Sequence, residues 1–378
     1  MAGTLVTTNI VQTAVAMGLD ALREQIALAK IVNRNYESRI GPGARQGSTV
    51  NVAIPSAITT RSVTADVVPP AVTAVTPTSV AVSLDQWKEA PFAMSDQAVS
   101  QVQQGIIPMQ MSEAIKSLAN TIDDYIWGLL TAAANPVYGF TGTSGTTPFA
   151  SNTSQYLDAR AILNNQLCPM DNRFVILDAD AEANALGLSA FADASASGSR
   201  ETIVEGDVGY KLGANWVMSQ NVPTHSNTGA GTVLVNDASV SVGDTTLTWD
   251  GGGTAPAAGD IFTVAGDTQT YSVLSSTATV ITMNPSAQVA WADDAAVTFK
   301  ADFVENVVIH RDCIAFAMAP LVQTEQVPGG ISATAVDQDS GLAVRLDITK
   351  QYRQTQWAFD ALFGGAVVRP ELACFIAG

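Results

Sequence analysis

One long amphipathic segment, Pro108 to Ala134, constrains the fold of this 378-residue chain more than any other part. Apolar residues recur in it at spacings of three and four, which places them on one stripe of a helix. Pro108 suits a first helical turn, and Asn135-Pro136 prevents continuation. Such a helix would span roughly 40 Å at about 1.5 Å per residue, so it needs packing partners along its length. The apolar stripe comprises Ile115, Leu118, Ala119, Ile122, Tyr125, Ile126, Leu129 and Leu130.

The opposite face of this helix is polar, and we expect it to contact solvent. Its Asp123-Asp124 pair, like Asp293-Asp294 further on, has the composition of a carboxylate acid–base site. A solvated helix face and a loop explain the two pairs more simply. The polar face comprises Glu113, Lys116, Asn120, Asp123 and Asp124.

Composition narrows the class of protein. Only 14% of residues are charged while 47% are hydrophobic, a balance that suits a chain burying much surface against copies of itself. The net charge of -17 argues against a free-standing nucleic-acid binder, which would carry a basic face. Residues 1–61 are an exception, with six basic and three acidic residues. A solvated arm is the preferred explanation, and an acidic partner is the alternative.

Cysteine usage and the N-terminal sequence bear on the compartment. Cys168, Cys313 and Cys374 are widely spaced and outside any CxxC motif, so we expect buried thiols in a reducing cytosol. The first 19 residues lack the charged n-region of a signal peptide. The sequence has no apolar run near the ~18 residues that a membrane span needs.

Before the long helix, the sequence predicts a helix from about Leu19 to Asn33 and then a two-stranded excursion. Alternating residues predict strands over 50–54 and 80–84. Residues 58–77 between them have tandem prolines and few large side chains, so this segment is an exposed loop or an arm on a neighbouring subunit. Ser95 is predicted to cap a short helix.

After the long helix, a Gly/Thr/Ser-rich connection over 139–154 precedes an α/β layer. Composition then shifts at Thr224, and from there to Asp302 short apolar pairs between turn signals predict an inserted all-β domain. Phe303–Pro320 resumes the strand-and-helix pattern. Strands are predicted over 341–349 and after a turn at 364–370. The elements predicted for the α/β layer are helix 156–167, strand 173–177, helix 179–188 capped by Asp178, and strand 216–218.

This order of parts resembles the major capsid (coat) proteins of tailed bacteriophages with the Hong Kong 97-like fold, in the branch that has an inserted β domain. The resemblance covers essentially the whole chain. It rests on IVNRNYESRIGPGARQGSTVNV, LDQWKEAPFAMSD and SLANTIDDYIWGLL, on the insertion after WVMSQNVP, and on SGLAVRLDITKQYR and DALFGGAVVRPE.

The resemblance implies an α+β fold with an N-arm, an extended β loop, a peripheral domain with a long spine helix and an axial α/β domain. The corresponding expected divisions are 1–46 (arm and helix), 47–92 (extended loop), 93–150 (peripheral domain with spine helix), 151–223 (axial domain, first part), 224–302 (inserted β domain) and 303–378 (closing segments of both domains).

The implied function is that of a structural subunit of an icosahedral shell of pentamers and hexamers, which encloses double-stranded DNA without sequence-specific binding. Expected partners are other copies, a separate scaffolding protein and a portal, with a decoration protein left open and no membrane. The first predicted helix begins near Leu19, which leaves no room for an N-terminal scaffolding segment. Localisation would be the virion capsid, after assembly in the host cytoplasm. Alternatives are a tail-tube or adhesion protein, or a cellular compartment shell of the same fold.

Some members of this family link subunits by an isopeptide bond between a loop lysine and an asparagine of a neighbour. Residues 47–86 contain no lysine, and the guanidinium of Arg61 cannot serve as the nucleophile. Lys88 lies close to its own subunit in the predicted returning strand. We therefore expect a shell without covalent cross-links.

Catalytic, cofactor and metal sites are not expected. His310-Arg311-Asp312 copies a kinase catalytic triplet, but its accompanying motifs are missing from the sequence. Gly41 and Gly43 begin a GxGxxG pattern that Gln46 breaks. Only two histidines, His225 and His310, are present, too few for a histidine-rich zinc site. The Asp/Gly turns of 236–294 do not match calcium-loop spacing.

Overall fold

In a computed structural model of the chain, the residues described are 28–34, 49–55, 58, 60, 75, 77–101, 106–193, 206, 208–229, 232–250, 254–321, 330–336 and 343–378. The expectations for residues 1–27, for Gly41, Gly43 and Gln46, and for most of 58–77 fall outside these ranges. The helices are Leu28–Ile31 (α1), Asp96–Gln101 (α2), Ile106–Leu130 (α3), Ser154–Asn165 (α4), Ala179–Gly187 (α5) and Ser189–Ala192 (α6).

Strands dominate the described part of the chain, and they fall into four groups. A hairpin comprises Thr49–Ile54 (β1) and Thr78–Ser83 (β2). The inserted segment contains Thr232–Leu234 (β9), Ser239–Val240 (β10), Thr246–Thr248 (β11), Ile261–Val264 (β12), Thr270–Ser276 (β13), Val280–Asn284 (β14), Trp291–Ala292 (β15) and Ala296–Phe299 (β16).

The other two groups form the body. One sheet, which we call the axial sheet, contains Gly139–Gly142 (β4), Arg173–Leu177 (β5), Gly209–Lys211 (β6), Ala214–Met218 (β7), Thr224–His225 (β8), Phe303–His310 (β17) and Ala373–Ala377 (β22). The other, which we call the peripheral sheet, contains Gln86–Ser95 (β3), Ile314–Ala319 (β18), Gly330–Val336 (β19), Ala343–Gln351 (β20) and Gln354–Val367 (β21). The mixed α+β architecture expected from the sequence is confirmed.

The spine helix α3 is the predicted long helix, shifted toward the N-terminus. It begins two residues before Pro108 and ends at Leu130, four residues earlier than predicted. The chain then turns, because Ala132 N–H donates to Leu129 O and Val137 N–H returns to Leu130 O at 2.8 Å. Six residues of the predicted stripe are fully buried, and Tyr125 and Leu129 are half-buried. The amphipathic pattern therefore identified the packed face correctly.

The axial sheet has the order β4-β22-β17-β5-β7-β6, and β8 also pairs with β17. Strand β5 and the helix after it match the prediction, since Asp178 accepts hydrogen bonds from the N–H groups of Asp180 and Ala181 at 3.3 Å. Two predictions were wrong. Gly139–Gly142 is a strand parallel to β22 rather than a loose connection. Phe303–Pro320 contains two strands joined by a 3-10 turn rather than a strand and a helix.

The peripheral sheet is built on β21, a 14-residue strand that pairs with β3 along one edge and with β20 and then β18 along the other. The sequence predicted a turn at Gly364-Gly365, but both residues continue the strand. The reason is a close backbone contact: a Cβ at Gly364 would overlap the carbonyl oxygen of Ser83 in β2. Gly364 therefore permits the sheet and the hairpin to approach closely.

The β1–β2 hairpin has the predicted alternating pattern and pairs in register, with Val50 opposite Val82. Its inner residues pack on the body: Val50, Val52 and Val82 join a buried cluster with Ala315 and Ala317 of β18. The base of the excursion therefore packs on its own subunit.

The inserted segment is a closed barrel. Its strand order is β11-β14-β13-β12-β16-β9. Val235 after β9 bridges to Trp249 after β11, and Asn236 N–H donates to Thr248 O at 2.8 Å. The two outer strands are thereby joined. The barrel has its own buried core, with Trp249, Phe262 and Tyr271 among its members.

The two ends of the insert lie side by side, because Thr224 pairs with Val304 and His225 with Phe303. The barrel is also tied to the loop after the spine helix. Thr270 Oγ1 donates to Tyr138 O at 2.6 Å, and Asn284 Nδ2 donates to Pro136 O at 3.2 Å. No described helix is both long and apolar enough to cross a membrane.

Candidate functional site

The junction between barrel and body contains a buried ionic network, which we call the hinge network: His225, Asp260 and Glu305. His225 Nε2 lies 3.1 Å from Asp260 Oδ1, and His225 Nδ1 lies 3.6 Å from Glu305 Oε1. Asp260 belongs to the barrel and Glu305 to β17, so the imidazole connects the two parts. Both carboxylates are buried, at 0% and 3% exposure.

Asp260 also organises the backbone at this junction. Its Oδ2 accepts hydrogen bonds from the N–H groups of Thr228 at 3.1 Å, Gly229 at 2.9 Å and Ala257 at 2.9 Å. One carboxylate oxygen thus gives partners to three backbone N–H groups. The side chain therefore fixes the path of the chain where it enters the barrel.

The protonation of the hinge network follows from its charges. Burial alone would lower the pKa of His225, but hydrogen bonds to Asp260 and Glu305 outweigh it and raise the pKa to about 9. Burial raises the pKa of Glu305, and the neighbouring His225 opposes this rise. At neutral pH the imidazole is thus a cation and can donate from both ring nitrogens.

Beside the hinge network lies a cavity of about 310 Å³, which we call the spine groove. Asp124, Trp127, Gly128 and Thr131 of the spine helix and its continuation form one wall, and residues 223–226 with Glu305 form the other. Asn221 Nδ2 donates to Asn120 Oδ1 at 3.3 Å beyond one end. At the other end the barrel packs closely against the continuation of the spine helix, since a Cβ at Gly259 would lie 2.5 Å from Thr131 O.

The His310-Arg311-Asp312 triplet forms a turn between β17 and β18. His310 is buried, and its Nδ1 accepts a hydrogen bond from Asp312 N–H at 3.1 Å. Burial lowers the pKa of His310. The imidazole therefore caps a 3-10 turn.

The two candidate carboxylate pairs differ from the expectation in one respect. Asp124, Asp293 and Asp294 are exposed as predicted, but Asp123 is buried, at 1% exposure, rather than solvated. Asp123 and Asp124 thus lie in different environments and do not form one site. Within the described ranges, acidic, cysteine and histidine side chains form no group of three or more that could hold a metal ion.

All three cysteines are free and buried, as predicted. Burial raises the pKa of each thiol. Thiolate is therefore scarce at neutral pH, which lowers the reactivity of these residues as nucleophiles.

Comparison with protein families identifies the chain. The phage capsid protein family matches residues 77–287, which include β3, the spine helix, the first part of the axial sheet and most of the barrel. The chain belongs to this family. This capsid protein is a structural component of the virion shell, and the family match favours that function over the tail-tube, adhesion and cellular-compartment alternatives.

A solved structure shows the fold. The capsid protein is similar to a structure from Mycobacterium phage Che8, with 18% identity, a TM-score of 0.53, and coverage of 93% of this chain and 91% of that chain. It is also similar to a chain from the capsid structure of Cyanophage P-SCSP1u, with 13% identity, a TM-score of 0.49, and coverage of 88% and 84%. No curated protein sequence matches it.

Sequence reasoning missed the hinge network of the capsid protein. His225, Asp260 and Glu305 are far apart along the chain, and no short motif joins them. One signal was available: one of the two histidines stands at the first boundary of the insert. A histidine there, beside an acid-rich segment, is a candidate for an ion pair.

Proposed function

We propose that this capsid protein is the major subunit of an icosahedral shell, in which pentamers and hexamers enclose double-stranded DNA. Its role is structural rather than enzymatic. The observation that carries the proposal is an apolar end on the axial sheet that its own subunit leaves exposed.

This apolar end comprises Leu167, Met170, Tyr210 and Leu212. Their exposed fractions are 89%, 66%, 71% and 40%. Strands β5 and β7 run parallel, with Phe174 opposite Asn215, so both strands begin at the same end of the sheet. The four apolar residues lie at that end, in the loops just before β5 and β7 or in β6, which pairs with β7. Exposed apolar patches mark interaction sites, so this end supports contacts among copies around a symmetry axis.

The packaged DNA would be enclosed without sequence-specific recognition. The net charge of -17 provides no basic footprint for phosphate. The inserted segment, residues 224–302, carries one lysine against eight acids, so like-charge repulsion favours the outer surface of the shell for the barrel. A density map with the barrel on the inner surface would refute that placement.

The resemblance to tailed-phage coat proteins supports further partners. Assembly would occur in the host cytoplasm with a separate scaffolding protein, and a portal would occupy one vertex. The barrel, as an acidic outward domain, is the candidate contact for a decoration protein. The proposed units of each subunit are those expected from the sequence, with the barrel as the inserted domain.

Substitution at the apolar end tests the proposal. The double variant Leu167→Lys/Met170→Lys should keep the stability of the free subunit, since exposed substitutions change it by about 0.5 kcal/mol or less. It should fail to form shells, because charged side chains would be buried at each contact. Particle yield is measured by sedimentation and electron microscopy.

Val242→Lys is the matched control, because Val242 is 65% exposed but lies on the barrel. It should assemble like the unmodified protein. Normal particles from the double variant would contradict the assignment of the apolar end as a contact. Absence of closed shells from the unmodified chain, with its scaffolding protein present, would contradict the proposed function itself.

A further inference from the structure

The spine groove has an excess of negative charge. Asp124 is exposed at its mouth and Glu305 lies in its wall. The one cation of its described lining, His225, is already shared by Glu305 and the buried Asp260 behind it. The lining and the carboxylate behind it therefore hold three acidic groups against one imidazolium, which leaves the groove complementary to a further cation.

The groove also contains buried polar atoms that lack partners. Glu305 directs Oε1 toward His225, whereas its Oε2 has no hydrogen-bond partner among the described residues. The same holds for Nε1 of Trp127, which is 1% exposed. An unpaired buried acceptor is costly, and a donor entering from outside the subunit would satisfy Oε2 after a small side-chain adjustment.

Gly128 is the third observation. It stands inside the spine helix, where glycine costs about 1 kcal/mol relative to alanine. A Cβ built there meets nothing within 4 Å, so packing within the subunit does not require a glycine. Because Gly128 has no side chain, the groove is deeper at this point and an external group can approach the helix backbone.

We propose that, in the assembled shell, the spine groove receives a lysine or arginine side chain from a neighbouring copy of this chain. The cation lies between Asp124 and Glu305, over Gly128. A second copy is the favoured occupant because shell assembly brings copies into permanent contact and supplies a cation to match the acidic lining. The inference rests on the proposed shell assembly.

Two substitutions test it without disturbing the hinge network. Gly128→Leu fills the groove in space that is open within the subunit, and Asp124→Asn removes the exposed charge. Gly187→Leu is the matched control, because Gly187 also lies in a helix and a Cβ added there would meet nothing within 4 Å. All three free subunits should melt within a few degrees of the unmodified protein.

Shell yield should fall at least about tenfold in Gly128→Leu, which corresponds to one lost contact of about 1.4 kcal/mol per subunit boundary. Asp124→Asn should assemble less well at low salt and with weaker salt dependence, while Gly187→Leu should assemble normally. Normal assembly of Gly128→Leu would overturn the inference and leave the proposed function intact. If Gly128→Leu does not fold, Asp124→Asn and the density map decide.

Electron cryomicroscopy of unmodified shells identifies the occupant. Density for a lysine or arginine of a second copy, within about 4 Å of Asp124, is the expected result. An unfilled groove, or a residue of the same copy in it, would overturn the proposal. A small amine is the alternative source of the same chemistry: density for a free amine between Asp124 and Glu305, in place of a side chain of a second copy, would show that the second-copy proposal is wrong.

Discussion

The barrel and the β1–β2 hairpin are both excursions from the body, but they are held in opposite ways. The barrel encloses its own core around Phe262 and Tyr271, and it meets the body through polar and ionic contacts and through Ile261, which packs in the core of the body. The hairpin has two strands and packs Val50, Val52 and Val82 on the body. A two-stranded hairpin is marginally stable alone, so its position depends on the surface beneath it, whereas the barrel depends on its interior.

The largest expected effect is a loss of stability in the barrel that leaves the body folded. Phe262→Ala removes a fully buried ring from the barrel core and should destabilise the barrel by about 3–5 kcal/mol. Hydrogen exchange should show lost protection in β11–β14 and retained protection in β5 and β17. Equal loss in both regions would show that barrel and body unfold as one unit.

The hairpin should respond to a change in the body. Gly364→Ala places a methyl group against the backbone of Ser83, and overpacking of this kind costs about 1–3 kcal/mol. Exchange in β1 and β2 should accelerate while the barrel keeps its protection. Gly187→Ala, which meets no neighbour, is the control. An unchanged hairpin would mean that its contact with β21 is not what holds it.

The ionic attachment of the barrel predicts a pH dependence. The pKa of His225 is raised to about 9 from an unfolded value of about 6.5. Its stabilising contribution is therefore complete below about 6.5 and is lost as pH rises through about 9.

In urea denaturation monitored at the barrel, the free energy of unfolding should fall by about 1–3 kcal/mol between pH values of about 6.5 and about 9. The variant His225→Gln should show a much weaker dependence on pH. The raised pKa of Glu305 adds a separate cost to the folded state as that carboxyl ionises. A profile that is identical in the variant would exclude the imidazolium as the tie between barrel and body.

The smallest expected effect concerns covalent linkage. The described part of the hairpin contains no lysine, and Lys88 is exposed on β3 within its own subunit's sheet, opposite Ala361. Mature particles should therefore give one band near 39.3 kDa on a boiled, reduced denaturing gel. A ladder of larger species would show that the hairpin is held to neighbours by bonds as well as by packing.

Local signals predicted local structure. The apolar run of Arg173–Leu177 and the capping carboxylate of Asp178 were interpreted correctly, because their chemistry acts within a few residues. The turn predicted at Gly364-Gly365 was wrong, because Gly364 continues the strand against the backbone of Ser83 in β2, a contact between residues far apart in sequence. The end of the spine helix was predicted four residues too late for a similar reason: Gly259 of the barrel packs against Thr131, where the helix has ended.

The site was harder to predict than the fold. Asp124 and Gly128 stand four residues apart on a predicted helix, but the opposite wall of the groove comes from residues 223–226 and Glu305. Hydrophobic periodicity says which face of a helix is buried. It does not say which distant segment lies beside the polar face.

The bridge between Val235 and Trp249 limits pairing between barrels of neighbouring subunits. A sheet with free outer strands presents unpaired N–H and C=O groups, which can template pairing with another sheet. In a lattice of identical subunits, each barrel would stand close to many copies of itself. Joining β9 to β11 removes that opportunity along the described strands, so barrels can be displayed at high local density without polymerising edge to edge.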